Sequence, residues 1–208
     1  MSSPSESLLD RTPVIPVVVV EDVAHAVPLA RALVTGGVRV IELTLRTPAA
    51  LDAIRAIAAE VPQILVGAGT VLGADHAKRA HDAGARFLVS PGATPSLLDA
   101  LVSTGLPFLP GTATVSEVLA VREAGVHELK FFPAEASGGA SYLSAVASVV
   151  PDVRFCPTGG ITSVSATSYL ALPNVGCVGG SWLTPRDAVA VGDWDRVTRL
   201  AAATLSLR

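Results

Sequence analysis

Apolar, β-branched runs recur along the chain at residues 14–20, 38–45, 64–66, 87–89, 107–109, 129–132, 153–156 and 175–178. Each is strand-sized, and runs with little polar alternation suit a parallel sheet covered on both faces. Between them lie Ala- and Leu-rich segments with helical spacing at 23–35, 48–60, 74–83, 95–103, 115–124, 140–149 and 164–170, and a last one at 194–205 closes the chain. Strands that alternate with single helices make βαβ units and a parallel sheet. Eight such units predict an α/β fold of the (β/α)8 TIM-barrel type. The reading is a single domain over 1–208, with residues 1–12 as a short N-terminal extension before the first strand.

Punctuation residues support these boundaries. Gly36-Gly37, Gly84 and Gly125 each follow a helical segment and precede a strand, which suits a left-handed C-cap. Thr47-Pro48, Thr94-Pro95 and Thr184-Pro185 place a hydroxyl N-cap before a proline at the first helical position. Pro16 conflicts with its apolar run, because proline cannot donate to a ladder, and is read as a strand start or bulge. An open doubly wound sheet would place a Gly-rich phosphate turn after the first strand. This chain has Glu21-Asp22 there, while its glycines follow the third, fourth, fifth, seventh and eighth runs, which favours the barrel.

Composition narrows the function classes. Half the residues are hydrophobic and 16% are charged, in keeping with elements buried on both faces. The net charge is −3 with no basic block, which argues against nucleic acid as a partner. The densest apolar run, 14–20, is too short for a membrane span and contains Pro16. Residues 1–10 are polar and acidic, without the features of a secretory leader, so a cytoplasmic location is expected. Cys156 and Cys177 fall in two different predicted strands without metal-ligand spacing, and read as buried thiols in a reducing compartment. His76 and His81 are five apart, the wrong spacing for one helical face, and no metal site is expected.

The chemistry is read at the C-terminal ends of the strands, where this fold builds its sites. Lys130 is one of only two lysines, the other being Lys78, and sits in the apolar stretch Leu129-Lys130-Phe131-Phe132. A desolvated lysine amine gives up its proton near neutral pH and attacks carbonyls to form Schiff bases, which arginine cannot do. Phe132, two residues on, shares its face and supplies an apolar wall. In the second strand Glu42, Thr44 and Arg46 share one face, and Ile41, Leu43 and Leu45 the other. The third strand ends Gly67-Ala68-Gly69-Thr70, with Thr70 at the rim, and the fourth ends Ser90-Pro91-Gly92. The seventh ends Thr158-Gly159-Gly160 and the eighth Gly179-Gly180-Ser181. Either glycine pair alone reads equally well as a tight turn. Two of them, at the two loops where barrels hold phosphate, point to a phosphate site. Together these residues predict a lysine that captures a ketone, a carboxylate that moves protons, a carboxylate-binding Arg and Thr, and a distal phosphate.

Several stretches, in order, resemble 2-keto-3-deoxy-6-phosphogluconate aldolase, the class I aldolase of the Entner–Doudoroff pathway. They are VRVIELTLRT at 38–47, VGAGTVL at 66–72, Ser90-Pro91-Gly92, KFFPAE at 130–135, VRFCPTGGI at 153–161 and GGSWL at 179–183. The likeness spans nearly the whole chain from about Pro13. It implies cleavage of a phosphorylated 2-keto acid to pyruvate and glyceraldehyde 3-phosphate, with related cleavage of 4-hydroxy-2-oxoglutarate, and no cofactor. It implies Lys130 as the Schiff-base residue and Glu42 as the acid/base. Arg46 and Thr70 would bind the pyruvate carboxylate, with Thr158, Pro91 and Phe132 lining the site. Gly159, Gly160, Gly180 and Ser181 would bind phosphate. A homotrimer is also implied.

Three other readings stay open from the residues. The same lysine and glutamate could serve the C4 epimer, the phosphorylated galactonate analogue. A phosphosugar isomerase on this barrel would need a base but no Schiff-base lysine. A non-catalytic sugar-phosphate sensor would need neither, and both of these leave the buried Lys130 unexplained.

Overall fold

Residues 7–207 are described by a computed structural model. The strands are β1 Val14–Val18, β2 Val40–Thr44, β3 Leu65–Gly69, β4 Leu88–Val89, β5 Phe108–Leu109, β6 Gly111–Thr112, β7 Glu128–Phe131, β8 Arg154–Pro157 and β9 Val178–Gly180. The helices are α1 Ala26–Thr35, α2 Ala50–Glu60, α3 Ala74–Asp82, α4 Pro95–Ser103, α5 Val115–Glu123, α6 Gly139–Val149, α7 Ala166–Leu170, α8 Arg186–Val191 and α9 Trp194–Thr204.

All ladders between these strands are parallel. They run in the order β5-β4-β3-β2-β1-β9 in one sheet and β6-β7-β8 in the other. The two sheets are parts of one curled wall. At one seam β5, the predicted run at 107–109, stops at Pro110, which has no N–H to donate, and β6, which lies beyond that run, resumes after it. At the other, isolated parallel bridges Phe155↔Val175 and Thr158↔Gly179 stitch β8 to the β9 edge in place of a full ladder. The architecture is the expected β/α barrel type, its curled wall not closed by continuous ladders at the two seams, with nine strands instead of eight because of Pro110.

Side-chain parity divides the core in two. Ile41 and Leu43 of β2, Leu129 and Phe131 of β7 and Phe155 of β8 pack in the large cluster shared with the helices. Val40 and Cys156 belong to a second cluster with Ile15, Phe87, Val89, Leu109 and Cys177, which fills the barrel interior. Along β2 the interior series Val40, Glu42, Thr44 thus turns from apolar to polar toward the C-terminal end. This period-two alternation of a pleated strand is the sequence reading made physical.

The N-terminal segment is more than an extension. Residues 1–6 lie outside the described residues, but Leu8–Asp10 form a 3-10 turn capped by Ser7, whose hydroxyl accepts from the Leu9 N–H at 3.1 Å. Leu8 and Leu9 are buried in the interior cluster. Asp10 pairs with Arg154, which also approaches Glu128 at 3.5 Å, and Ser7 Oγ donates to the same Glu128 carboxylate. The chain therefore ties its own N-terminal turn to β7 and β8.

Several boundaries differ from the sequence reading. Pro16 stays inside β1 because the ladder to β9 covers Val14–Pro16 and the ladder to β2 begins at Val17. Thr94 caps α4 as expected, accepting from the Leu97 N–H at 3.3 Å. Thr47 does not cap α2, because its hydroxyl donates to the Val20 carbonyl and the helix starts at Ala50 without a side-chain cap. Thr184 likewise turns back to the Ser181 carbonyl at 3.5 Å. The last strand lies at Val178–Gly180, later than the apolar run 175–178. Gly37, Gly84 and Gly125 have φ of 86°, 94° and 83°, the left-handed helix ends expected.

Candidate active site

Lys130 and Glu42 meet inside the barrel. Lys130 is 5% exposed and Glu42 3%. The Lys130 Nζ donates to Glu42 Oε1 at 3.4 Å. Interior parity on β7 and β2 aims both side chains inward, and β3 makes room for the carboxylate. A Cβ at Gly69 would overlap the Glu42 Oε1. The Lys130 ammonium position lies 5.3 Å from the Phe132 ring centroid. A buried ion pair of this kind adds little net stability, so its retention calls for another reason.

Phe132 forms part of the wall of a cavity of about 710 Å³, together with Arg46, Thr158, Gly159, Gly160, Gly180 and Ser181. Seven of the residues singled out from the sequence thus face one space; Lys130 and Glu42 are not among its lining residues, and the link to them is the Phe132 ring beside the Lys130 amine. Arg46 lies beyond the end of β2 and is exposed, so it tops the strand instead of filling the interior. Its Nε donates to Thr70 Oγ1 at 3.4 Å. Thr70 has φ +60°, a left-handed conformation that strains a β-branched residue by roughly 1–3 kcal/mol. Neighbouring hydrogen bonds from Leu45 N to the Gly69 carbonyl (2.9 Å) and from Val71 N to the Val89 carbonyl (3.1 Å) hold it there. Thr70 and Pro91 are outside the cavity lining, Thr70 joining it through Arg46. Pro91 packs its carbonyl where a side chain at Gly111 would sit.

The two glycine pairs adopt the conformations that the loops require. Gly159 and Gly160 have φ of 106° and 81°, successive left-handed residues whose N–H groups can converge on an anion. Gly179 leaves space for the Thr158 hydroxyl, which a Cβ there would overlap. Thr158 bridges to Gly179 across the β8–β9 seam, so both loops are held in register.

The sequence reading missed part of the lining. Glu21, Asp22 and His25 follow β1, and Thr184, Pro185 and Arg186 follow β9. All sit at C-terminal strand ends, so the barrel rule itself was the signal that could have found them. α8, which carries Arg186, went unseen because six residues span less than two helical turns.

The sequence model of the family described as KDPG and KHG aldolase matches residues 5–200. The 2-dehydro-3-deoxy-phosphogluconate aldolase of Pseudoalteromonas atlantica is 53% identical, covering 95% of this chain and 92% of that protein. The KHG/KDPG aldolase of Escherichia coli K12 is 54% identical with the same coverage. Among solved structures, KDPG aldolase from Legionella pneumophila, with pyruvate captured as a covalent carbinolamine intermediate, superposes with a TM-score of 0.93. That protein is 45% identical, covering 95% of this chain and 96% of the other.

Proposed function

The chain belongs to the KDPG and KHG aldolase family, and from that premise we propose that it is a Schiff-base aldolase that cleaves 2-dehydro-3-deoxy-6-phosphogluconate. The products are pyruvate and D-glyceraldehyde 3-phosphate, and 4-hydroxy-2-oxoglutarate is a second substrate, giving pyruvate and glyoxylate. The carrying observation is the buried Lys130 amine, 3.4 Å from Glu42 and 5.3 Å from the ring of Phe132, which lines the same cavity as Gly159, Gly160 and Ser181.

The Lys130 nitrogen attacks the C2 ketone to give a carbinolamine, which loses water to an iminium. The iminium withdraws electrons from C3. Glu42, directly or through water, takes the C4 hydroxyl proton; the C3–C4 bond then breaks and its electron pair enters the enamine. The aldehyde leaves, the enamine takes a proton at C3, and water hydrolyses the iminium to release pyruvate. Arg46 and Thr70 hold the C1 carboxylate, and Thr158, Pro91 and Phe132 shape the site around the reacting carbons. Phe132 also keeps water from the amine. Backbone N–H groups of Gly159, Gly160 and Gly180 and the Ser181 hydroxyl hold the phosphate.

No helix among the described residues is long and apolar enough to cross a membrane. Cytoplasmic location fits the buried thiols Cys156 and Cys177. A homotrimer, which the family resemblance implies, is testable by light scattering.

Borohydride reduction in the presence of pyruvate, followed by peptide mass spectrometry, tests the chemistry. A reduced pyruvyl adduct on Lys130 is the expected result. An adduct confined to Lys78 or the N-terminus, or none from folded protein, would reject it.

A further inference from the structure

The Glu135 side chain belongs to the KFFPAE stretch yet has no part in the chemistry above. Glu135 reaches the loop after β8 through its backbone and α7 through its side chain. At the start, the Glu135 N–H donates to the Gly159 carbonyl at 3.1 Å, beside a bond of 2.8 Å from Ala134 N to the Thr158 carbonyl. At the far end, the Tyr169 hydroxyl of α7 donates to Glu135 Oε1 at 2.8 Å. Between these anchors the Glu135 stem covers one side of the turn, since a Cβ at Gly160 would lie 2.8 Å from Glu135 Cγ.

Tyr169 is the rigid half of this arrangement. It is 1% exposed and among the largest fully buried side chains. Burial, and next the hydrogen bond to the Glu135 carboxylate, push its hydroxyl well above the ordinary tyrosine range, so it remains a donor. The carboxylate is thereby held to α7, and Glu135 is not among the residues that line the cavity beside Gly159 and Gly160. A carboxylate released from Tyr169 would lie beside an anion site and repel its ligand.

We propose that Glu135 and Tyr169 form a clamp that fixes the Gly159–Gly160 turn and so act as positioning residues selecting for phosphate-bearing substrates. The clamp rests on the phosphate reading of that turn. Its role is exerted through the loop and reaches neither the ketone nor the amine.

The test compares Tyr169→Phe, Glu135→Ala and Glu135→Gln on the phosphorylated substrate and on 4-hydroxy-2-oxoglutarate, with Tm measured alongside. Tyr169→Phe and Glu135→Ala should raise KM for the phosphorylated substrate about five- to tenfold, the weight of one lost hydrogen bond, with kcat within about twofold. KM for hydroxyoxoglutarate should not move. Glu135→Gln, whose amide oxygen still accepts from Tyr169, should stay near wild type. Equal shifts on both substrates, or no shift on either, would overturn the clamp whatever happens to Tm. Inhibition of the wild type by inorganic phosphate tests the underlying reading separately. Absence of competition with the phosphorylated substrate would overturn the phosphate site itself, and the clamp with it.

Discussion

Lys130 Nζ and Glu42 Oε1 lie 3.4 Å apart although 88 residues separate them in the chain. Both are buried, and among the described residues no second hydrogen bond to either side-chain group accompanies the pair. Replacing both groups by apolar ones would be nearly neutral for folding, whereas removing one leaves the other buried without its partner.

Lys130→Met should abolish aldol cleavage and pyruvate trapping, because no amine remains to form the iminium. The variant should fold, since an apolar side chain of similar length replaces a buried ammonium, although Glu42 loses its partner. Circular dichroism together with a coupled pyruvate assay checks both statements, and substantial residual turnover would reject the mechanism.

Glu42→Gln keeps shape and hydrogen bonding but cannot carry a proton. A drop in kcat of roughly 10²–10⁴-fold is expected, the usual weight of a positioned acid/base. Borohydride trapping of pyruvate should still mark Lys130, only more slowly. Steady-state kinetics that leave kcat unchanged would remove Glu42 from the proton path.

Gly69→Ala tests the space beside Glu42. The added methyl would overlap the carboxylate, which must rotate away from Lys130. The outcome should be a fall in kcat exceeding any change in KM, with a modest loss of Tm. Wild-type kcat would mean that the carboxylate's position is not critical.

Ser181→Ala removes a hydroxyl from the phosphate end of the cavity. KM for the phosphorylated substrate should rise about tenfold, in the range of one hydrogen bond to a charged group. Hydroxyoxoglutarate, which has no phosphate, should be spared. Parallel effects on both substrates would relocate the phosphate.

Leu9→Ala probes the N-terminal turn. Leu9 has no exposed surface and packs with Ile15, Phe87 and Leu109 in the barrel interior. Truncation should destabilise the protein by about 2–5 kcal/mol, the range for a buried leucine. The KM values of the folded variant should stay put, because the turn lies at the end of the barrel away from the cavity lining. Denaturant titration reads the first effect and steady-state kinetics the second.

The alternation of strands and helices was legible in the chain because each βα unit is a local pattern. Period-two parity carried further: it put Glu42 and Lys130 on interior faces, where they meet, and Ile41 and Leu43 on the helix-facing side, where the large core cluster has them. The barrel rule then turned strand-end positions into a list of cavity residues, Arg46, Thr158 and Ser181 among them.

What tertiary structure alone decided are relations between distant segments. Curling of the sheet brings β2 to β7 and sets the Lys130–Glu42 distance, a quantity that no local pattern encodes. Gly69 looked like a generic rim glycine until the carboxylate occupied its missing Cβ. Leu9 lay in an apparent extension, yet desolvating it inside the barrel gives that turn its place in the fold. Glu135 and Tyr169 became partners only when α7 packed against the segment that follows β7. A sequence specifies the periodic faces of its elements, whereas distances across a barrel follow from how those faces close upon one another.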